Sequence, residues 1–189
     1  MDWKELIDMI GTAFTVAQTI GYLFTFFAGA AALAFFSYFL YKKEKRLFDN
    51  LNKRDILIFA PPPGSGKSSE LPEDMEMELE LLKKTEYFNN LPEAIYRNTS
   101  CEKLEKIDSR ALVIIGYNES FSEEALEKLL DTVVRKEAPL IFYAYDRLDP
   151  TSKAYKMLKA YPRHSMCETG LRLVNDVFTT LATYPYEKK

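Results

Sequence analysis

The sequence predicts an α/β protein: a single N-terminal transmembrane helix, then a Rossmann-like cytosolic domain doubly wound around a parallel sheet of about five strands. Three observations predict it. No charged residue occurs in the 33 positions from Met9 to Tyr41. Beyond Arg54, short apolar runs bounded by polar turns alternate with amphipathic stretches. The strongest runs, RALVIIGYN (110–118) and PLIFYAY (139–145), are apolar on both faces, as central parallel strands covered by helices must be.

The uncharged run is densest over Thr19–Tyr41, and roughly 20 apolar residues suffice to cross a bilayer. A signal peptide starts basic and carries a shorter apolar core, whereas WKELID at the start here has both signs. Behind the run lies KKEKR (42–46), net +3, so the C-terminal side is expected in the cytoplasm and the N-terminus outside. The expected location is the inner (cytoplasmic) membrane, single-pass. Gly21, Thr25 and Gly29 repeat a small-residue spacing that lets helices approach closely. Gln18 with Thr12, Thr15 and Thr19 adds polar groups that gain little from lipid, so self-association of the helices is expected.

The expected domains are residues 1–46 with the membrane helix at about 19–41, a linker at 47–54, and the ligand-sensing domain at 55–189. DILIFA (55–60) reads as the first strand. Residues 72–89 read as a helix with Met75, Leu79 and Leu82 on one stripe and Glu80 paired to Lys84. AIYRN (94–98) is a weak second strand and CEKLEKI (101–107) a short helix. After RALVIIGYN, Ser120 and Glu123 form a capping box for a helix faced by Leu126, Leu129, Leu130, Val133 and Val134. After PLIFYAY, Asp149 and Pro150 start the next helix. RHSMC (163–167) is the last strand, and Thr169 caps a final helix faced by Leu171, Val174, Phe178 and Leu181.

In open α/β sheets ligands bind beyond the C-terminal ends of the strands. The loop there after DILIFA is PPPGSGKSS (61–69). Its Gly66, Lys67 and Ser68 match the end of a Walker A loop, but Pro61 stands where the first glycine belongs. The prolines remove N–H donors, and Pro72 implies a late helix start. A phosphate-facing loop without hydrolysis is therefore expected, using Pro63, Gly64, Ser65, Gly66, Lys67 and Ser68. Asn118 and Ser120 at the end of the central strand add hydrogen-bonding groups. Thr169, Gly170 and Arg172 add a helix N-terminus with a cation. Asp146 and Glu168 are the loop carboxylates to watch for acid–base work.

Composition narrows the rest. Lys and Arg number 25 against 28 Asp and Glu, a net charge of −3 with a pI near 5.4, which argues against DNA or long RNA as a partner. Cys101 and Cys167 lack ligand spacing and read as reduced structural thiols. The one histidine, His164, fits neither zinc nor a triad. No catalytic set and no metal or cofactor site is expected, and the chain reads as a non-enzyme.

The arrangement of one membrane helix and a small Rossmann-like domain resembles the membrane-anchored CARF-domain effectors of type III CRISPR systems. Those domains often carry an Asp/Asn-x-Thr-Gly-Gly-Thr-Lys loop before a late helix. Thr169 and Gly170 match it, while Cys167, Leu171 and the early basic Arg172 depart from it. The resemblance implies a cyclic oligoadenylate ligand, cyclic tetra-adenylate first, bound by a homo-oligomer (dimer or tetramer) that rearranges its helices to perturb the lipid bilayer in antiviral defence. A rival resemblance is to TIR-like domains, in which Glu124 or Glu127 of ESFSEEALEKL implies NAD cleavage or sensing of an NAD derivative. A divergent P-loop nucleotide-binding membrane protein is the third alternative.

Overall fold

The structure is a computed structural model describing residues 2–61, 74–97 and 104–184. The chain divides into two compact units, Met1–Lys45 and Arg46–Lys189.

The first unit is the greater part of helix α1, Trp3–Lys53. It contains an 18-residue window of mean hydropathy 1.9 with none of its surface buried, long and apolar enough to cross a membrane. Within it Thr12, Thr15, Thr19 and Thr25 each donate their hydroxyl to the carbonyl four residues back, at 2.8–2.9 Å. Their polarity is thus satisfied inside the helix. The features left to favour contact with another helix are Gln18 and the Gly21–Thr25–Gly29 spacing. The positions a Cβ would take at Gly21 and Gly29 meet open space.

The second unit is an α/β domain around a four-stranded parallel sheet in the order β1 (Ile56–Phe59), β2 (Leu112–Tyr117), β3 (Leu140–Ala144), β4 (His164–Cys167). Among the described residues of AIYRN, 94–97, no full strand is added. They contribute one parallel bridge, Tyr96 to Phe59. The bridge lies on the side of β1 away from β2: Asp55 takes the N–H of Leu112, whereas Ile58 and Ala60 bond Tyr96 and Ile56 bonds Asn90. A parallel strand presents alternate backbone groups to its two neighbours. Two residues beyond Asn90 stands Pro92, without an N–H of its own, so the stretch is a poor ladder partner over any length.

Helices cover both faces. Leu57, Phe59, Val113, Ile115, Leu140 and Phe142 pack under α3 (Glu123–Lys136) and α4 (Lys153–Ala160). Ile56, Ile58, Leu112, Ile114, Ile141 and Tyr143 pack under α2 (Glu76–Lys84) and α5 (Gly170–Thr183). Burial on both faces is why β1–β3 read as unbroken apolar runs. The edge strand β4 is half-exposed and reads more polar.

Several boundaries differ from expectation, each for a local reason. Residues 47–53, read as linker, are the last turns of α1: Leu51 packs against the α2/α5 core. Asn50 and Arg54 both donate to the Tyr184 carbonyl at the end of α5, at 3.1 and 3.0 Å. Ser120 is not the cap of α3. The Asn118 side-chain oxygen takes its N–H and its hydroxyl, at 3.1 and 2.5 Å, which closes a turn and delays the helix to the N-cap Ser122. Asp149 likewise takes the N–H and hydroxyl of Thr151, and Ser152 caps α4 by accepting the Tyr155 N–H. The helix read from Pro72 begins at Glu76. CEKLEKI, where described, closes a single turn with Ile107 N–H on the Leu104 carbonyl.

Gly116 is where β2 meets the start of α2. A Cβ there would stand 2.4 Å from Met75 Cγ and 2.6 Å from its sulfur. Met75 is fully buried, so the overlap has little room to relax. Gly116→Ala is expected to destabilise the domain by about 1–3 kcal/mol, read as a lower denaturation midpoint of the detergent-solubilised chain. Met75→Ala should cost less in the Gly116→Ala background than in the wild-type chain, because it relieves the overlap.

Candidate functional site

The C-terminal ends of the strands converge on the start of α2, and three polar assemblies organise that end of the sheet. The first joins β3 to α2. Tyr145, one residue past β3, accepts the Met75 N–H at 3.0 Å and donates to Glu78 Oε2 at 2.7 Å. Met75 holds a left-handed backbone, φ 66°, uncommon for a side chain of its size. Tyr145 therefore fixes both the unusual turn and the first turn of the helix. Burial, then the Glu78 carboxylate that its hydroxyl bonds, push the Tyr145 pKa well above the tyrosine range. Burial first, and then Glu78, does the same to Tyr143, which meets Tyr145 edge-to-face at 4.8 Å. Both phenols stay neutral donors at physiological pH.

The second assembly lies at the end of β1. Arg97, next to the bridged Tyr96, contacts Glu76 Oε1 at 2.5 Å and Asp74 Oδ2 at 3.4 Å, and its Nη1 donates to the Pro61 carbonyl at 3.5 Å. Asp74 also accepts the Glu76 N–H at 3.1 Å. One guanidinium thus spans the chain before residue 62 and the chain after residue 73. Beside it an open cleft of about 580 Å³ runs between α2 and residues 93–95, floored by Leu79 and Ile95 and rimmed by Glu80, Lys83 and Glu93.

The third assembly ties β2 to β3. Asp146 Oδ2 accepts the Glu119 N–H at 2.9 Å, and the Tyr145 N–H reaches the Tyr117 carbonyl at 2.9 Å. Tyr117 stacks on Phe142, and its pKa is raised by burial, then by the carboxylates of Asp146, Glu123 and Asp149.

The expected site residues divide accordingly. Pro63, Gly64, Ser65, Gly66, Lys67 and Ser68 lie outside the described residues. Asn118 and Ser120 share the turn after β2, with Asn118 buried. Thr169 is the N-cap of α5 without a side-chain capping bond. Gly170 has a packing reason: a Cβ there would stand 2.9 Å from Leu81 Cδ2 of α2. Arg172 is exposed and faces Asp176 at 3.9 Å. The sheet order puts β4 three strands from β1, about 14 Å at the usual spacing. No single phosphate reaches both corners. A ligand touching residues near both Pro61 and Thr169 must span about that distance, the scale of a dinucleotide or larger.

Of the two glutamates the TIR-like resemblance points to, Glu124 is exposed and Glu127 is ion-paired with Lys153 at 2.7 Å. Among the described residues no group of His, Cys, Asp and Glu has metal-binding geometry. Cys167 is buried beside Asp176; burial, then that carboxylate, pushes its thiol up to about 12. Cys101 lies outside the described residues. Sequence reasoning missed Arg97, Glu78 and Tyr145. The available signal was a tyrosine and an arginine at the C-terminal ends of two apolar runs, where a ligand-facing position falls. No family model matches the chain, and neither a curated protein nor a solved structure matches it.

Two outcomes follow. Tyr145→Phe leaves the buried Met75 N–H without its acceptor and is expected to cost about 1–3 kcal/mol in chemical denaturation. Stability should also fall at alkaline pH. Cys167 and Tyr161 rise from 9.0 and 10.0 to about 12 in the folded chain, both chiefly through burial. From about pH 9 to 12 the unfolded chain sheds protons that the folded chain keeps, so stability decreases with rising pH there and these groups add no slope below pH 8. Denaturation midpoints between pH 7 and 11 check the sign, and Cys167→Ala should flatten the early part.

Proposed function

We propose that this chain is a single-pass membrane receptor for a phosphate-bearing nucleotide messenger of the cyclic oligoadenylate class, binding rather than hydrolysing it. The observation that carries the reading is the placement of Arg97 at the C-terminal end of β1, spanning both ends of the segment that contains Lys67. With Tyr96 on one side of β1 and β2 on the other, the chain winds outward in both directions from β1. Doubly wound sheets bind ligands at such a reversal. In this reading the 94–97 stretch is the reduced second strand of a five-stranded Rossmann-like sheet.

The remaining parts follow from the same placement. The roughly 14 Å between the β1 and β4 corners suits a ligand with several phosphates. A symmetric ring is met most simply by two domains each giving half a site, hence a dimer or tetramer. The basic KKEKR segment supports a cytoplasmic position for the domain at the inner membrane. The α2/α5 core, with Leu51 of α1 packed against it, offers a route from ligand to membrane helix. The consequence in the membrane is a rearrangement of helices that perturbs the bilayer, a defence output consistent with the CARF resemblance.

The test is titration of the detergent-solubilised full chain with cyclic tri-, tetra- and hexa-adenylate, ATP and NAD. Binding of a cyclic oligoadenylate, weakened about tenfold or more by Lys67→Ala, is expected, the scale of losing one charged hydrogen bond. Binding of none of the cyclic oligoadenylates contradicts the reading. NAD loss dependent on Glu124 or Glu127 supports the TIR-like alternative instead, and ATP turnover lost at Lys67 supports the P-loop one.

A further inference from the structure

We propose that Arg97 is the exchangeable cation of the ligand site and that Glu76 is its built-in competitor, a carboxylate the ligand's phosphate must displace. The inference rests on the receptor reading above and deepens it. The Arg97 guanidinium makes one short contact, to Glu76 Oε1 at 2.5 Å, and two long ones, to Asp74 at 3.4 Å and the Pro61 carbonyl at 3.5 Å. Its two carboxylate partners differ in kind. The Asp74 side chain is 9% exposed and is also bonded to the Glu76 N–H, so it is a fixed part of the turn. The Glu76 side chain is 66% exposed and sits at the first position of α2.

Releasing an exposed carboxylate costs little, because such ion pairs contribute little in water. A phosphate offers the guanidinium a bidentate partner of equal or greater charge, and arginine is well suited to that exchange. Asp74 meanwhile keeps the guanidinium at the end of β1 when Glu76 lets go. The cleft behind Arg97 carries Glu76, Glu80 and Glu93 against Lys83 and Arg97, one acid in excess, so it does not draw a polyanion into itself. The phosphate is therefore expected to displace Glu76 at the strand end rather than to enter through the cleft. The pair sets the messenger concentration at which the site fills.

The test compares cyclic tetra-adenylate binding to the full chain carrying Arg97→Ala, Arg97→Lys or Glu76→Gln, with denaturation midpoints measured alongside. Arg97→Ala should weaken binding about 10- to 100-fold and Arg97→Lys less. Glu76→Gln should tighten it about 2- to 5-fold, the worth of one exposed ion pair. The sign at Glu76 separates exchange from a clamp. If the ion pair only braces the turn, Glu76→Gln weakens binding along with Arg97→Ala, and the proposal is overturned. Wild-type affinity in both variants overturns it too, while leaving the receptor reading intact. No binding by the wild-type chain removes the receptor reading and this inference with it.

Discussion

The hydroxyl of Tyr145 lies between two things the fold must hold together: the end of a buried strand and the start of a helix that has to turn sharply to cover it. It accepts from the Met75 backbone and donates to Glu78, so one oxygen joins β3 to two positions of the α2 entry. Met75 can adopt its left-handed backbone and lie across Gly116 only because that oxygen takes its N–H and the glycine leaves room. Everything beside the β1 mouth inherits this geometry. Asp74 precedes Met75 and Glu76 follows it, and both meet Arg97. A shift in the Tyr145 bridge therefore shifts the acids around the guanidinium.

The layers of the domain divide labour between rigid and exchangeable parts. The sheet and its two apolar faces are dry, interlocked and slow to deform. Polar groups at the strand ends range from the buried Asn118 and Asp74 to the exposed Glu76 and Arg172. Exposed pairs can change partners at small cost, whereas buried ones cannot. On the α2/α5 face Leu81 approaches Gly170 closely, and Leu51 from the last turns of α1 packs against the same core.

The sequence told most where burial is two-sided. ILIF, LVIIGY and LIFYA announce themselves because every position but the last of the two longer runs is buried, and the stripe of α3 is equally plain. Caps were less legible, since a side chain that captures its neighbour moves a helix start by two or three residues, as Asn118 and Asp149 do. The described residues 94–97 shrank to one bridge, a result that depends on pairing with β1 rather than on their own residues. The Tyr145–Glu78 and Arg97–Asp74 contacts were invisible in one dimension. They join residues 67 and 23 positions apart, and neither pair forms a spacing motif.

The claim at the centre is that a phosphate-bearing messenger engages the C-terminal end of β1 and the entry of α2. Hydrogen–deuterium exchange of the full chain with and without cyclic tetra-adenylate tests it directly. The account predicts new protection centred on residues 55–61, 74–80 and 94–97, with a weaker change at the end of α5 and the last turns of α1. Protection confined to the opposite, N-terminal edge of the sheet, or no change at saturating ligand, would contradict it.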